Sequence, residues 1–124
     1  MTQQQQGGAG GIDFEALRRS IEQRDLEALV DLYADDAEYQ RIDRNSPPSS
    51  PMVVRGKEAI AEYWRDVLGR EMTHRVQDEV VGEERIAFSD ACQYPDGMRV
   101  IGAENLEVRA GEIVRHVSVQ AWDE

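Results

Sequence analysis

The chain has 124 residues, enough for one ordinary domain that removes roughly two-thirds of its unfolded surface from water. Its 25 acidic residues against 14 lysines and arginines leave a formal net charge of −11, which repels phosphate backbones and anionic lipid, so neither nucleic acid nor a membrane surface is expected as a partner. No apolar run approaches the ~20 residues of a membrane helix, and the single cysteine, Cys92, has no internal disulfide partner, so a cytoplasmic protein with a buried thiol is expected.

The start, MTQQQQGGAGG, has neither the basic end nor the apolar middle of a signal peptide. Residues 1–11 are expected to be a disordered tail and residues 12–124 one domain. From Ile12 the composition turns helical. Phe14, Leu17 and Ile21 fall on one stripe, Asp25 interrupts as an N-cap, and Leu26, Leu29, Val30 and Tyr33 resume the period, which predicts two helices with a bend near Arg24 and Asp25. Asp35, Asp36 and Ala37 mark the exit, and Glu38 to Ile42 reads as a short strand. RNSPPSSP, residues 44–51, is a loop long enough to close over something. A third helix follows from Lys57, with Ile60, Tyr63, Trp64, Val67 and Leu68 on one face, and ends near Gly69.

The second half is strand-like, punctuated by GEE, PDG and RAG into runs of about 73–81, 85–94, 98–108 and 112–122. Short connections make this an antiparallel meander. The order α-α-β-α-β-β-β-β predicts an α+β protein whose helices pack on one face of a curved sheet.

Two of these strands carry an acid in an apolar row. Val100, Gly102, Glu104, Leu106 and Val108 share one face, and Ile86, Phe88, Asp90, Cys92 and Tyr94 share another. A buried carboxylate needs a partner or takes up a proton, and either outcome favours a polar cavity over a solid core. His74 and His116 are the candidate partners, since imidazole exchanges protons near pH 7. In the last strand the apolar face is Val117, Val119 and Ala121, whereas His116, Ser118, Gln120 and Trp122 form a mixed face, so a bulge or curvature is needed to bring His116 inward. Tyr39, Trp64, Phe88 and Trp122 are the expected aromatic walls.

RDLEALVDLYADDAEY, RGKEAIAEYW and AGEIVRHVSV resemble the nuclear transport factor 2-like superfamily, in particular its SnoaL-like and ketosteroid-isomerase-like branch, over about Ile12 to Trp122. The resemblance implies a cone: a strongly bent sheet wrapped around the helices, a pocket open at one end, and a homodimer through the outer sheet face. It implies that Glu104 falls where steroid isomerases place an acid that donates to a developing oxyanion, and that His116 and Gln120 face the pocket. Leu17 stands where those isomerases carry a tyrosine and Arg41 where they carry the aspartate base, with Asp43 two positions later, so a steroid isomerase mechanism is not expected. The superfamily also hosts cyclases, dehydratases and hydrolases, so fold does not name reaction.

The expected function is a pocket that binds a small, largely apolar metabolite. Glu104 and Asp90, with His74 or His116, would move protons for an isomerase, cyclase or dehydratase reaction, and Tyr39, Arg41, Trp64, Phe88, Gln120 and Trp122 would contact the ligand. The alternative is a non-catalytic binding or dimeric interaction module. In that reading Glu104 is the ion-pair partner of an arginine such as Arg41, Asp90 pairs with His74 or a backbone donor, His74 is a surface residue, and Tyr63 and Trp64 are core residues. Two histidines far apart and one cysteine offer no recognised metal-ligand spacing, GGAGG follows no strand, and no cofactor is expected.

Overall fold

The structure is a computed structural model that describes residues 11–124. The tail expected to be disordered therefore lies, apart from Gly11, outside the described residues. Helix α1, Phe14–Glu22, starts where Asp13 accepts hydrogen bonds from the Glu15 and Ala16 amides. Arg24 adopts a left-handed backbone (φ 55°), which turns the chain, and Asp25 caps α2, Leu26–Val30, through the Ala28 amide. This is the bend the sequence predicts. Tyr33 is not helical, however: it opens β1, Tyr33–Ile42, beside Ile113. Its place on the helical stripe and its place on a strand bury the ring equally well, so periodicity alone misassigned it.

A strand not expected from the sequence, β2, Met52–Arg55, pairs antiparallel with β1 and follows the Pro-rich segment, whose first residues, Arg44 and Asn45, turn within an Asp43–Ser46 bridge. Helix α3, Lys57–Leu68, then runs to Gly69 as predicted. The meander is β3, Thr73–Val81; β4, Arg85–Gln93; β5, Arg99–Arg109; and β6, Glu112–Trp122. Ala110 and Gly111, both at positive φ, make the two-residue turn between β5 and β6. Sheet order is β2-β1-β6-β5-β4-β3, and the β1–β6 pair is parallel, so the sheet is mixed where the sequence predicts an antiparallel one. Among the described residues no helix is long and apolar enough to cross a membrane.

Leu17 and Ile21 of α1, Leu29 of α2 and Ile60 and Trp64 of α3 are buried together with Tyr33, Tyr39, Val76, Ile86, Leu106 and Ile113 from the sheet. Each helix turns its buried side chains to one sheet face, a layer geometry that removes both surfaces from water at once.

One irregularity decides what that face presents. In β6, Ile113 pairs with Val108 and Arg115 with Glu107, so Val114 is an extra residue with no partner on β5. A one-residue bulge reverses the alternation of everything beyond it. Ile113 points inward on one parity and His116 and Ser118 on the other, all three buried, while Val119 and Ala121 face out. Deleting Val114 should therefore force either Ile113 or the His116–Ser118 pair out of the core, at a cost of about 2–5 kcal/mol in urea unfolding. An unchanged midpoint would mean that the bulge does not set the facing.

Candidate functional site

The inner face of β5 has a dimple at Gly102. Its neighbours across the ladder are Asp90 on β4 and Gln120 on β6, and the next row holds Phe88, Glu104 and Ser118. A Cβ at Gly102 would collide with the Glu104 carboxylate, so the glycine supplies space, not an unusual backbone angle. Glu104 leans into that space. Asp90 and Glu104 thus line one cavity of about 50 Å³, together with Tyr39, Tyr63, Trp64 and His74. That volume holds a few waters or the reactive end of a small molecule.

Both oxygens of Glu104 accept hydrogen bonds. His116 Nε2 lies 2.7 Å from Oε1, and Ser118 Oγ donates to Oε2 at 2.9 Å. Behind His116, Tyr33 Oη is 2.8 Å from Nδ1, and Trp64 Nε1 donates to that same hydroxyl at 3.1 Å. Because Trp64 can only donate, the Tyr33 proton is free for His116 Nδ1, which puts the imidazole proton on Nε2, facing Glu104. Gln120 Nε2 donates to Ser118 at 3.2 Å. Two chains of donors, Trp64–Tyr33–His116 and Gln120–Ser118, therefore end on one carboxylate. Burial pushes the Tyr33 and Tyr39 phenols far above their ordinary range, so both stay protonated donors.

The second acid is also paired. His74 Nδ1 sits 3.1 and 3.3 Å from the two Asp90 oxygens, and Cys92 Sγ is 3.4 Å from the same nitrogen. The β3–β4 register makes this cluster, because His74 lies opposite Cys92, and Asp90 is two residues away on the same face. His74 is buried, which corrects the surface alternative, and its Nε2 has no hydrogen-bond partner among the described residues. Burial, and then the charge of Asp90, push the Cys92 thiol far above its ordinary value.

Half-buried side chains form the rim. Arg41 lies 3.1 Å from Asp43 and 5.9 Å above the Tyr63 ring, and it does not pair with Glu104. Arg70 donates to Tyr94 Oη and pairs with Asp66, while Arg44, from the Pro-rich turn, covers Trp122 at 5.6 Å. Tyr39 donates to Tyr63 at 3.1 Å; burial raises the Tyr63 phenol, and the Tyr39 bond and Arg41 oppose that rise.

Of the residues expected from sequence, Tyr39, Arg41, Trp64, His74, Asp90, Glu104, Gln120 and Trp122 line the cavity. Two do not. Phe88 packs edge-on against Phe14 of α1 in the core, at the β4 end of its row. His116 points inward, but behind Glu104, so it touches the carboxylate and not the cavity. Tyr33, Tyr63, Cys92 and Gly102 were missed as site residues. Only Gly102, as an isolated glycine inside a strand pattern, carried a signal of close approach.

Helices laid over the concave face of a bent sheet, with a polar cavity between them, define the nuclear transport factor 2-like fold. Solved structures share it. One from Kribbella flavida, provisionally assigned as a ketosteroid isomerase, has TM-score 0.72 and 20% identity over 90% of this chain and 75% of that one. An NTF2-like protein of unknown function from Mesorhizobium loti has TM-score 0.75 and 20% identity over 87% of this chain and 89% of that one. One from Sinorhizobium meliloti, provisionally assigned as a polyketide cyclase, has TM-score 0.64 and 15% identity over 85% of this chain and 91% of that one. Residues 14–116 match the SnoaL-like domain, and the chain belongs to that family. No curated protein matches the sequence.

The environment of Cys92 gives a direct check. The native protein should leave its thiol unmodified by a disulfide reagent at about pH 8, whereas the unfolded chain reacts. Because the folded state keeps the thiol proton longer than the unfolded one, stability should be unaffected by Cys92 below about pH 8.5 and should fall as pH rises above it. Rapid stoichiometric labelling of the native chain would contradict this.

Proposed function

We propose that this SnoaL-like protein binds a small, largely apolar carbonyl compound and moves a proton on it without a cofactor, with Glu104 as the group that takes and returns the proton. The observation that carries this reading is the pair of donor chains ending on a buried carboxylate at the cavity wall. Fixed dipoles of that kind hold a base in one orientation in a poorly hydrated site and do not need to reorganise during reaction. Glu104 would remove a proton from the carbon beside the carbonyl, the bonding pair would move into the carbonyl to give an enolate, and the same carboxyl would return the proton at a second carbon. His116 and Ser118 position Glu104. Tyr63, which accepts from Tyr39, keeps its own proton for the enolate oxygen and is the proposed oxyanion donor.

The narrow cavity admits the reacting end of the ligand, so the remainder would lie between Trp122, Tyr94 and Arg41 at the rim. Similarity in fold to the proteins provisionally assigned as a ketosteroid isomerase and a polyketide cyclase supports the substrate class. A second reading, binding without turnover, is favoured by one fact: both Glu104 oxygens already have protein partners.

The outer face of the sheet is proposed as a homodimer surface. Ile101 and Val119 are 47% and 45% exposed and lie beside exposed Ala121 and Ala103 on the paired strands β5 and β6, an apolar strip that a second copy would cover.

Thermal shift against a panel of β,γ-unsaturated ketones, followed by ultraviolet detection of the conjugated product, tests the reading. Glu104→Gln should keep the thermal shift and lose turnover by roughly 100-fold or more. Binding by the wild-type chain with no product would select the second reading. For the dimer, Ile101→Arg should halve the mass seen in sedimentation while leaving the fold intact; a wild-type monomer at high concentration would remove that proposal.

A further inference from the structure

We infer that His74, Asp90 and Cys92 form a binding site for one divalent transition-metal ion, with zinc best suited to the donors. The three residues offer an imidazole nitrogen, a carboxylate oxygen and a sulfur, all buried and all within 4.8 Å of one another. Ligands around a tetrahedral ion with bonds of ~2.0–2.3 Å stand roughly 3.3–3.7 Å apart. His74 Nδ1 already lies 3.1 Å from Asp90 and 3.4 Å from Cys92, close to those edges. The backbone ladder sets this spacing. His74 and Cys92 are cross-strand partners and Asp90 shares their face, so the ligand set is held by two hydrogen-bonded strands and not by a loop.

Charge supports the same assignment. One thiolate, one carboxylate and one neutral imidazole sum to −2, which a divalent ion neutralises among three buried side chains. Thiolate and imidazole together select zinc, or cobalt as its stand-in, over magnesium or calcium, which take oxygen ligands. All three side chains also line the cavity, so the fourth position faces inward and is open to water or a ligand oxygen. On binding, the thiol proton leaves to solvent and the Nδ1 lone pair goes to the metal. The imidazole proton then resides on Nε2, the nitrogen that has no partner among the described residues.

The three ligands share no hydrogen bond with the Glu104 network, although both groups line one cavity, so either inference stands if the other fails. Chelator-treated full-length protein titrated with cobalt should bind one ion and show both the visible bands of a tetrahedral centre and a thiolate-to-cobalt charge-transfer band. Zinc should displace the cobalt. Cys92→Ser, which preserves shape, should abolish the charge-transfer band and weaken binding at least roughly tenfold, and Asp90→Asn should weaken it similarly. Glu104→Gln should leave the cobalt spectrum unchanged, whatever it does to turnover. A cobalt spectrum without the thiolate band, octahedral bands only, or equal affinity in the wild type and both variants would overturn the assignment.

Discussion

A carboxylate inside a protein must be given donors, and much of this molecule's interior is arranged around that requirement for Glu104. Its carboxylate occupies the space left by the missing side chain of Gly102 and receives His116 and Ser118 from the next strand. Those donors are in turn held by Tyr33, Trp64 and Gln120, which come from β1, α3 and β6. The network therefore ties a helix to three strands through one charge. Replacing the acid with an apolar side chain would leave buried donors facing nothing, so the polar cavity and the packing of α3 on the sheet are one problem with one solution.

The Val114 bulge makes this possible. Without it, β6 would present valines to the helices and its histidine and serine to solvent. With it, the polar face beyond the bulge turns inward opposite Glu104, and the apolar residues go to the outer surface, where Ile101 of β5 joins them. One extra residue thus produces both the polar interior and the apolar exterior strip.

The cavity has two unequal polar walls. On the Glu104 side every group has a partner and the donors converge. On the Asp90 side a single nitrogen, His74 Nδ1, faces an acid and a thiol at once, while Nε2 has none among the described residues. A saturated network orients a base. A cation among the three would take the Nδ1 lone pair, the carboxylate and the sulfur together.

Much of the architecture follows from local pattern. Alternation located all four strands of the meander, turn residues located their boundaries, and the same alternation exposed Asp90 and Glu104 as acids on apolar faces, because side-chain direction in a strand has period two regardless of what covers it. Tyr33 defeated that logic, since a single aromatic at the end of a helical stripe fits helix or strand, and β2 was hidden behind prolines that speak only for the loop. What only the tertiary structure decided is register. Whether His116 faces in depends on an unpaired residue two positions earlier, whether Phe88 reaches the cavity depends on which helix lies above it, and whether His74 meets Asp90 and Cys92 depends on how two strands align across 16 to 18 positions. Strand pairing is set by contacts distant in sequence, so residue spacing along one chain cannot carry it.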